Sequence, residues 1–175
     1  TFADALLKRS VNSPIGGVHS IENLRFTNNH NSGKGVMAHS CVGVKITNCQ
    51  FAGTGISNSL ASAIETYNSQ AATVDTCTII GWNVGVMAGN ATMVLDCDIT
   101  GCVNGIRHQN VGLTVLGGRY EVNTIGIKVG YDENDAGFQC GGVDIGGLSM
   151  ELNQTAIQFG AVASATIRAR RVAAA

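Results

Sequence analysis

The chain has 175 residues, enough for one domain around a single core, and only 13% of them are charged, for a formal net charge of -1. Without a global field, neither nucleic acid nor an anionic membrane surface is an expected partner, and no apolar run reaches the ~20 residues of a membrane helix. Twenty-three glycines against one proline suit many tight turns rather than a disordered linker. The chain opens at Thr1, with no methionine and no charged-then-apolar leader, and is expected to be a processed or excised piece.

Phe2, Ala5, Leu6 and Arg9 share one helical face, which predicts a short capping helix within a lead-in of residues 1–17. Ser13-Pro14-Ile15-Gly16-Gly17 breaks it. The remaining chain, 18–175, counts in a period near twenty. Val74-Asp75-Thr76-Cys77-Thr78-Ile79 returns as Val94-Leu95-Asp96-Cys97-Asp98-Ile99, and Gly85-Val86-Met87-Ala88 returns as Gly105-Ile106-Arg107-His108. A fixed period of this size marks a solenoid, in which each unit buries its apolar side only against its neighbours.

Each coil aligns on an apolar residue closing a first strand: Phe26, Phe51, Ile79, Ile99, Tyr120, Met150 and Val172. Five residues earlier stand Ile21, Ile46, Val74, Val94, Val115, Ile145 and Ile167, and two earlier stand Leu24, Cys49, Cys77, Cys97, Gly118 and Leu148. All three columns are expected to point inward. A second strand follows as Val36-Met37-Ala38, Ile64-Glu65-Thr66, Val86-Met87-Ala88, Ile106-Arg107-His108, Ile127-Lys128-Val129 and Ile157-Gln158-Phe159, with the middle residue outward by period-two alternation. Ser40, Asn68, Asn90 and Asn110 follow in register, where asparagine tolerates a left-handed bend and can bond to the copy above and below. Asp96 falls in the bend column of Asn23 and Asn48, where a turn-bonding role is expected.

These features together, short strands in each coil, an aliphatic-x-Asn/Asp-Cys-x-aromatic/aliphatic phrase, a Gly-aliphatic second strand and an asparagine ladder, resemble the right-handed parallel β-helix of the pectate-lyase and phage-tailspike superfamily. The resemblance covers residues 18–172. It implies an all-β solenoid of about seven coils and, if it holds, an extracellular or virion-associated protein. The fold hosts lyases, hydrolases, epimerases and adhesins, so the activity must come from the site. The Asn-Thr-Asp, Asp-Asp and Gly-His-Gly phrases of polygalacturonases and the calcium aspartates of pectate lyases have no counterpart here. Gly126-Ile127-Lys128 shares only its last two residues with the Arg-Ile-Lys of the former.

Insertions fall at Asn28 to Lys34, Ala52 to Ser62 and Gly130 to Gly142, and in a solenoid these flank the binding side. Past Val172 the chain ends in alanines, so further coils or a partner chain, as in a homotrimer, are expected to close that end. The six cysteines have no zinc spacing; Cys49, Cys77 and Cys97 read as small buried hydrophobes, and Cys41, Cys102 and Cys140 as turn or loop residues. Asp132-Glu133-Asn134-Asp135 offers oxygens of the kind calcium takes, yet the spacing fits no dedicated loop and a solvated loop is preferred. No other metal or cofactor is indicated.

The outward columns of the second strand are Met37, Glu65, Met87, Arg107, Lys128, Gln158 and, beside them, His39, Tyr67, Gly89, Gln109, Gly130, Gly160. A carboxylate, two stacked cations, an aromatic, an imidazole and an amide on one face form the polar inventory of a sugar site. Arg107 and Lys128 are candidates for a uronate clamp or base, since neighbouring cations repel unless an anion joins them and one is then easier to deprotonate. Glu65 is the candidate second acid/base, and His39, Tyr67 and Gln109 the candidate sugar binders. Asp75 and Asp98 on the other face are the second catalytic choice, as a glycosidase-like pair, although an ion pair of Asp98 with Arg119 explains Asp98 without catalysis. His108 is expected inward as a hydrogen-bonded core residue. The leading expectation is a carbohydrate-active protein that binds, and as a lyase or glycoside hydrolase cleaves, an acidic polysaccharide along this face. The alternative is a non-catalytic structural or adhesive segment, such as part of a trimeric tailspike-like or cell-surface protein.

Overall fold

The computed structural model describes residues 19–28, 33–53, 61–67, 69–130, 140–168 and 171–174. The capping helix expected in 1–17, Asn68 and the Asp132-Asp135 loop lie outside the described residues. Three all-parallel sheets form the molecule, and within each sheet neighbouring strands are three apart in chain order. That stepping defines a parallel β-solenoid of six to seven coils, one strand per sheet per coil, and no helix occurs among the described residues.

The first sheet stacks Ser20–Glu22, Lys45–Thr47, Thr73–Asp75, Thr92–Leu95, Leu113–Leu116, Val143–Gly146 and Ala165–Arg168. Its central column is Ile21, Ile46, Val74, Val94, Val115, Ile145, Ile167 in unbroken register, buried from Ile21 to Ile145 and exposed at Ile167. The second sheet places Phe26, Phe51, Ile79, Ile99, Tyr120, Met150 and Val172 in register in the same way. Both columns agree with the periodicity of the sequence. The single first strand expected to join them is instead two strands in two sheets. Between them Asn23, Asn48, Thr76 and Asp96 take φ of 46° to 58°, followed in the later coils by Gly117 and Gly147. A left-handed residue ends the ladder and turns the chain toward the next sheet, and Asn and Asp tolerate that conformation best. Asn48 Nδ2 donates to Asn23 Oδ1 at 2.6 Å across this corner.

The third sheet holds the Val36, Ile64, Val86, Ile106, Ile127, Ile157 column. It is preceded by Gly35, Ala63, Gly85, Gly105, Gly126 and Ala156, and these too point inward. A Cβ on Gly35 would lie 2.8 Å from Phe51 Cδ1, on Gly85 2.9 Å from Ile99 Cγ2 and on Gly126 2.5 Å from Met150 Cε. Two successive inward residues reverse the alternation, so the position before the small residue faces out.

The core is aliphatic and tightly filled, with Trp82 and Tyr120 its largest fully buried side chains. Cys49, Cys77 and Cys97 are buried as expected, each sulfur 3.2 to 3.4 Å from the carbonyl two residues back. Cys41, Cys102 and Cys140 are buried as well, because the solenoid corners fold inward, and all six thiols are free. Leu24 departs from its column and is 44% exposed.

The asparagine ladder sits at another corner than the expected one. Asn90 Oδ1 accepts from the Val111 amide, at 3.3 Å, and Asn110 Nδ2 is buried without a partner; of the expected positions Ser40 is left-handed, at φ 54°, and the other left-handed residues there are Ala71, Ala91 and Gly112. The buried pair is Asn123 and Asn153. Asn123 Nδ2 donates to Asn153 Oδ1 at 3.0 Å and to the Ile99 carbonyl at 3.1 Å, Asn123 Oδ1 accepts from the Cys102 amide, and Asn153 Nδ2 donates to the Tyr120 carbonyl.

Candidate functional site

The outer face of the third sheet carries Met37, Glu65, Met87, Arg107, Lys128 and Gln158 in one register column. In chain order the insertions at 28–34 and 52–62 precede strands Lys34–Met37 and Ser62–Glu65 of this sheet, and the one at 130–142 follows its strand Ile125–Val129. His39 and Tyr67 stand beside the column on adjacent coils, their ring centroids 6.3 Å apart and tilted by 57°. Gly89 does not extend their column outward, since a Cβ there would lie 2.0 Å from the Thr66 carbonyl oxygen.

Glu65 is the centre of the face. It was expected outward and exposed; it is only 7% exposed, because its carboxylate is enclosed by partners. Lys34 Nζ pairs with Oε2, Ser62 Oγ donates to Oε2 at 3.2 Å, and His39 Nε2 lies 2.6 Å from Oε1. Burial alone would raise the carboxyl, but the hydrogen bonds of Lys34 and His39 and the positive charge of Lys34 outweigh it and hold Glu65 below its ordinary value. A carboxylate accepts, so Nε2–H donates and Nδ1 is left as the basic nitrogen of His39.

Sequence reasoning missed Lys34 and Ser62. Strict alternation from Val36 and Ile64 projects both inward, and only the reversal at Gly35 and Ala63 turns them toward Glu65. The signal available was the glycine-or-alanine column itself.

A cleft of about 210 Å³ opens beside this cluster. Val84, Met87 and Ala61 give it apolar walls, while Lys34, Ser62, Glu65, Tyr67 and Gln109 supply polar groups. Arg107 follows one coil beyond Met87 and Lys128 two, in direct register with each other. At a strand spacing of about 4.8 Å, Arg107 is roughly 10 Å from the level of Glu65. The Arg107 Nε is buried with no hydrogen-bond partner.

The second-choice carboxylates lie on other faces. Asp98 is held bidentately by Arg119, at 3.1 Å to Nε and 2.9 Å to Nη2, which is the ion pair the sequence suggested. Asp75 neighbours Leu95 in the first sheet rather than a second acid. A second hollow, about 410 Å³, lies over Asp96, Gly117, Gly118, Gly147 and Ser149, but the Arg119 on its wall is the one already paired with Asp98.

His108 is fully buried as expected, with Nδ1 3.3 Å from the Ala88 carbonyl and Nε2 without a partner. Desolvation pushes its pKa down to about 4, which makes it a neutral core residue at ordinary pH. Burial pushes the Cys102 and Cys140 thiols up to about 11 and leaves them unreactive. Among the described residues no group of three His, Cys, Asp or Glu could hold a metal ion. Comparison with protein-family models, with curated proteins and with solved structures gave no match for the chain.

Proposed function

We propose that this solenoid is a right-handed β-helix of the pectate-lyase and tailspike type that binds an acidic polysaccharide lengthwise along its third sheet and cleaves it. The observation that carries this reading is the Glu65 cluster: Glu65, on the same outward column as Arg107 and Lys128, binds His39 and lines a cleft together with Lys34, Ser62 and Tyr67. A linear polymer meets several coils at once, and a stack of identical strand spacings matches a repeating ligand.

The face divides into two stations. Arg107 and Lys128 bind acidic groups, Arg107 with the planar fork suited to a carboxylate. The chemistry belongs to the other station. Glu65 is held ionised and is therefore a poor general acid; it orients His39, whose Nδ1 takes the proton from C5 of a uronate while Lys34 lies close enough to offset the growing carboxylate charge. The electron pair forms the C4–C5 double bond, the C4–oxygen bond breaks, and the leaving oxygen is protonated by solvent. Tyr67 and Gln109 hold the sugar.

The test is depolymerisation of a panel of neutral, uronic and sulfated polysaccharides, following reducing ends and the near-ultraviolet absorbance of unsaturated uronate together. The expected result is both signals on a uronic polymer, lost in His39→Ala. Reducing ends without absorbance would move the chemistry to hydrolysis and suspicion to Asp75, Asp98 and Glu65. The second reading, a structural or adhesive segment, is favoured by the mutual charge satisfaction of Lys34, His39 and Glu65, which a stabilising ion cluster would also show. Neither signal on any polymer would establish it.

A further inference from the structure

Asn104 Oδ1 and Arg107 Nε, on the third sheet, are each buried without a hydrogen-bond partner, and they are complementary, an acceptor and a donor. Both belong to strand Asn104–His108, three residues apart. Gly105 and Ile106 between them point inward: Ile106 is fully buried, and a Cβ on Gly105 would lie 3.5 Å from Nδ2 of the buried Asn123. Asn104 and Arg107 therefore share the outward face.

The same step brings outward side chains together in earlier coils, where Ser62 Oγ donates to Glu65 Oε2 at 3.2 Å and Lys34 Nζ lies 3.9 Å from Met37 Sδ. Nε stands as many bonds along Arg107 as Oε2 along Glu65, and Oδ1 reaches one bond further than Ser62 Oγ, so Asn104 and Arg107 extend into the same space. Its walls are largely apolar. In register with Asn104 stand Val84, 1% exposed, and Ile125, and beside Arg107 stands Met87. Leaving either polar atom dry between such walls is costly, and a single water that donates to Oδ1 and accepts from Nε–H satisfies both.

Resting on the polysaccharide reading above for the role of Arg107, we infer that Asn104 is a positioning residue, which fixes the Arg107 guanidinium through one bound water. A guanidinium is planar, so anchoring Nε sets the direction of the two terminal nitrogens, the fork that meets an acidic group of the ligand. Asn104 itself touches no sugar.

The register column of Asn104 contains Val84 and, two coils beyond, Thr155, so valine and threonine both suit the position. Asn104→Val removes the acceptor, and Asn104→Thr, of nearly the same shape, restores an oxygen. Two readouts on the full chain test the inference: the nuclear Overhauser contact between Arg107 Nε–H and a long-lived water, and kcat and KM on a uronic polymer. Wild type and Asn104→Thr are expected to show the water contact. Asn104→Val is expected to lose it and to raise KM about tenfold with kcat unchanged, since Arg107 binds and does not react. Absence of the water contact in wild type overturns the inference, and so does Asn104→Thr as impaired as Asn104→Val, which would make the role one of packing. The water contact present in wild type and Asn104→Thr and missing in Asn104→Val upholds the link between Asn104 and Arg107 even where no polymer is cleaved, a result that overturns the polysaccharide reading alone.

Discussion

His39 Nε2 and Glu65 Oε1 lie 2.6 Å apart on adjacent coils, 26 residues apart in the chain. The same carboxylate binds Lys34, so one buried acid holds two side chains of the preceding coil.

Glu65→Gln keeps the shape and the Ser62 hydrogen bond but leaves Lys34 without its counter-charge and His39 without its carboxylate partner. Both partners are part-exposed, so solvent screening tempers the loss, which is expected to be about 1–3 kcal/mol at pH 7 by urea denaturation. The folded carboxyl titrates below its ordinary value of 4.5. The stability it confers is therefore complete above that value and is lost as pH falls from there through the lower, folded pKa. Wild type should lose more stability in that window than Glu65→Gln; parallel pH profiles would show that the cluster contributes nothing.

His108 gives a dependence in a different window. Its folded pKa is depressed from 6.5 to about 4. Above 6.5 both states are neutral and stability is full; between 6.5 and about 4 only the unfolded chain takes the proton, so stability falls by about 1.4 kcal/mol per pH unit and by about 3 kcal/mol in all. Below about 4 the slope disappears. His108→Leu is expected to remove this slope from unfolding free energies measured at pH 7.5, 5.5 and 4.5. Because Nε2 has no partner, it should lose little at pH 7.5.

Asn123 and Asn90 separate a buried ladder from an exposed one. Asn123→Ala removes a side chain that bonds the Cys102 amide, the Ile99 carbonyl and Asn153, and strands those groups in the core. The expected cost is about 2–4 kcal/mol, against less than about 1 kcal/mol for Asn90→Ala, whose single bond is exposed. Equal losses in chemical denaturation would contradict the assignment of the ladder to the Asn123 corner.

By itself the sequence determined the stack. Apolar residues recur where three inward columns must sit, and parallel neighbours in a solenoid are copies of one coil, so register follows from alignment: Ile21 to Ile167, Phe26 to Val172 and Val36 to Ile157 pair as the spacing requires. It also determined that Arg107 and Lys128 are neighbours and that Asp98 meets Arg119. The tertiary structure decided what alternation cannot express. A left-handed residue at Asn23, Asn48, Thr76 and Asp96 divides one apparent strand between two sheets, and that conformation leaves no mark in hydrophobic periodicity. Close approach of the Gly35 and Gly85 column to the opposite wall reverses the alternation and sends Lys34 and Ser62 outward to Glu65. The site is therefore made of Lys34 and His39 from one coil folding over Glu65 and Ser62 of the next. Such contacts depend on how coils lean and pack, which a repeat period does not contain.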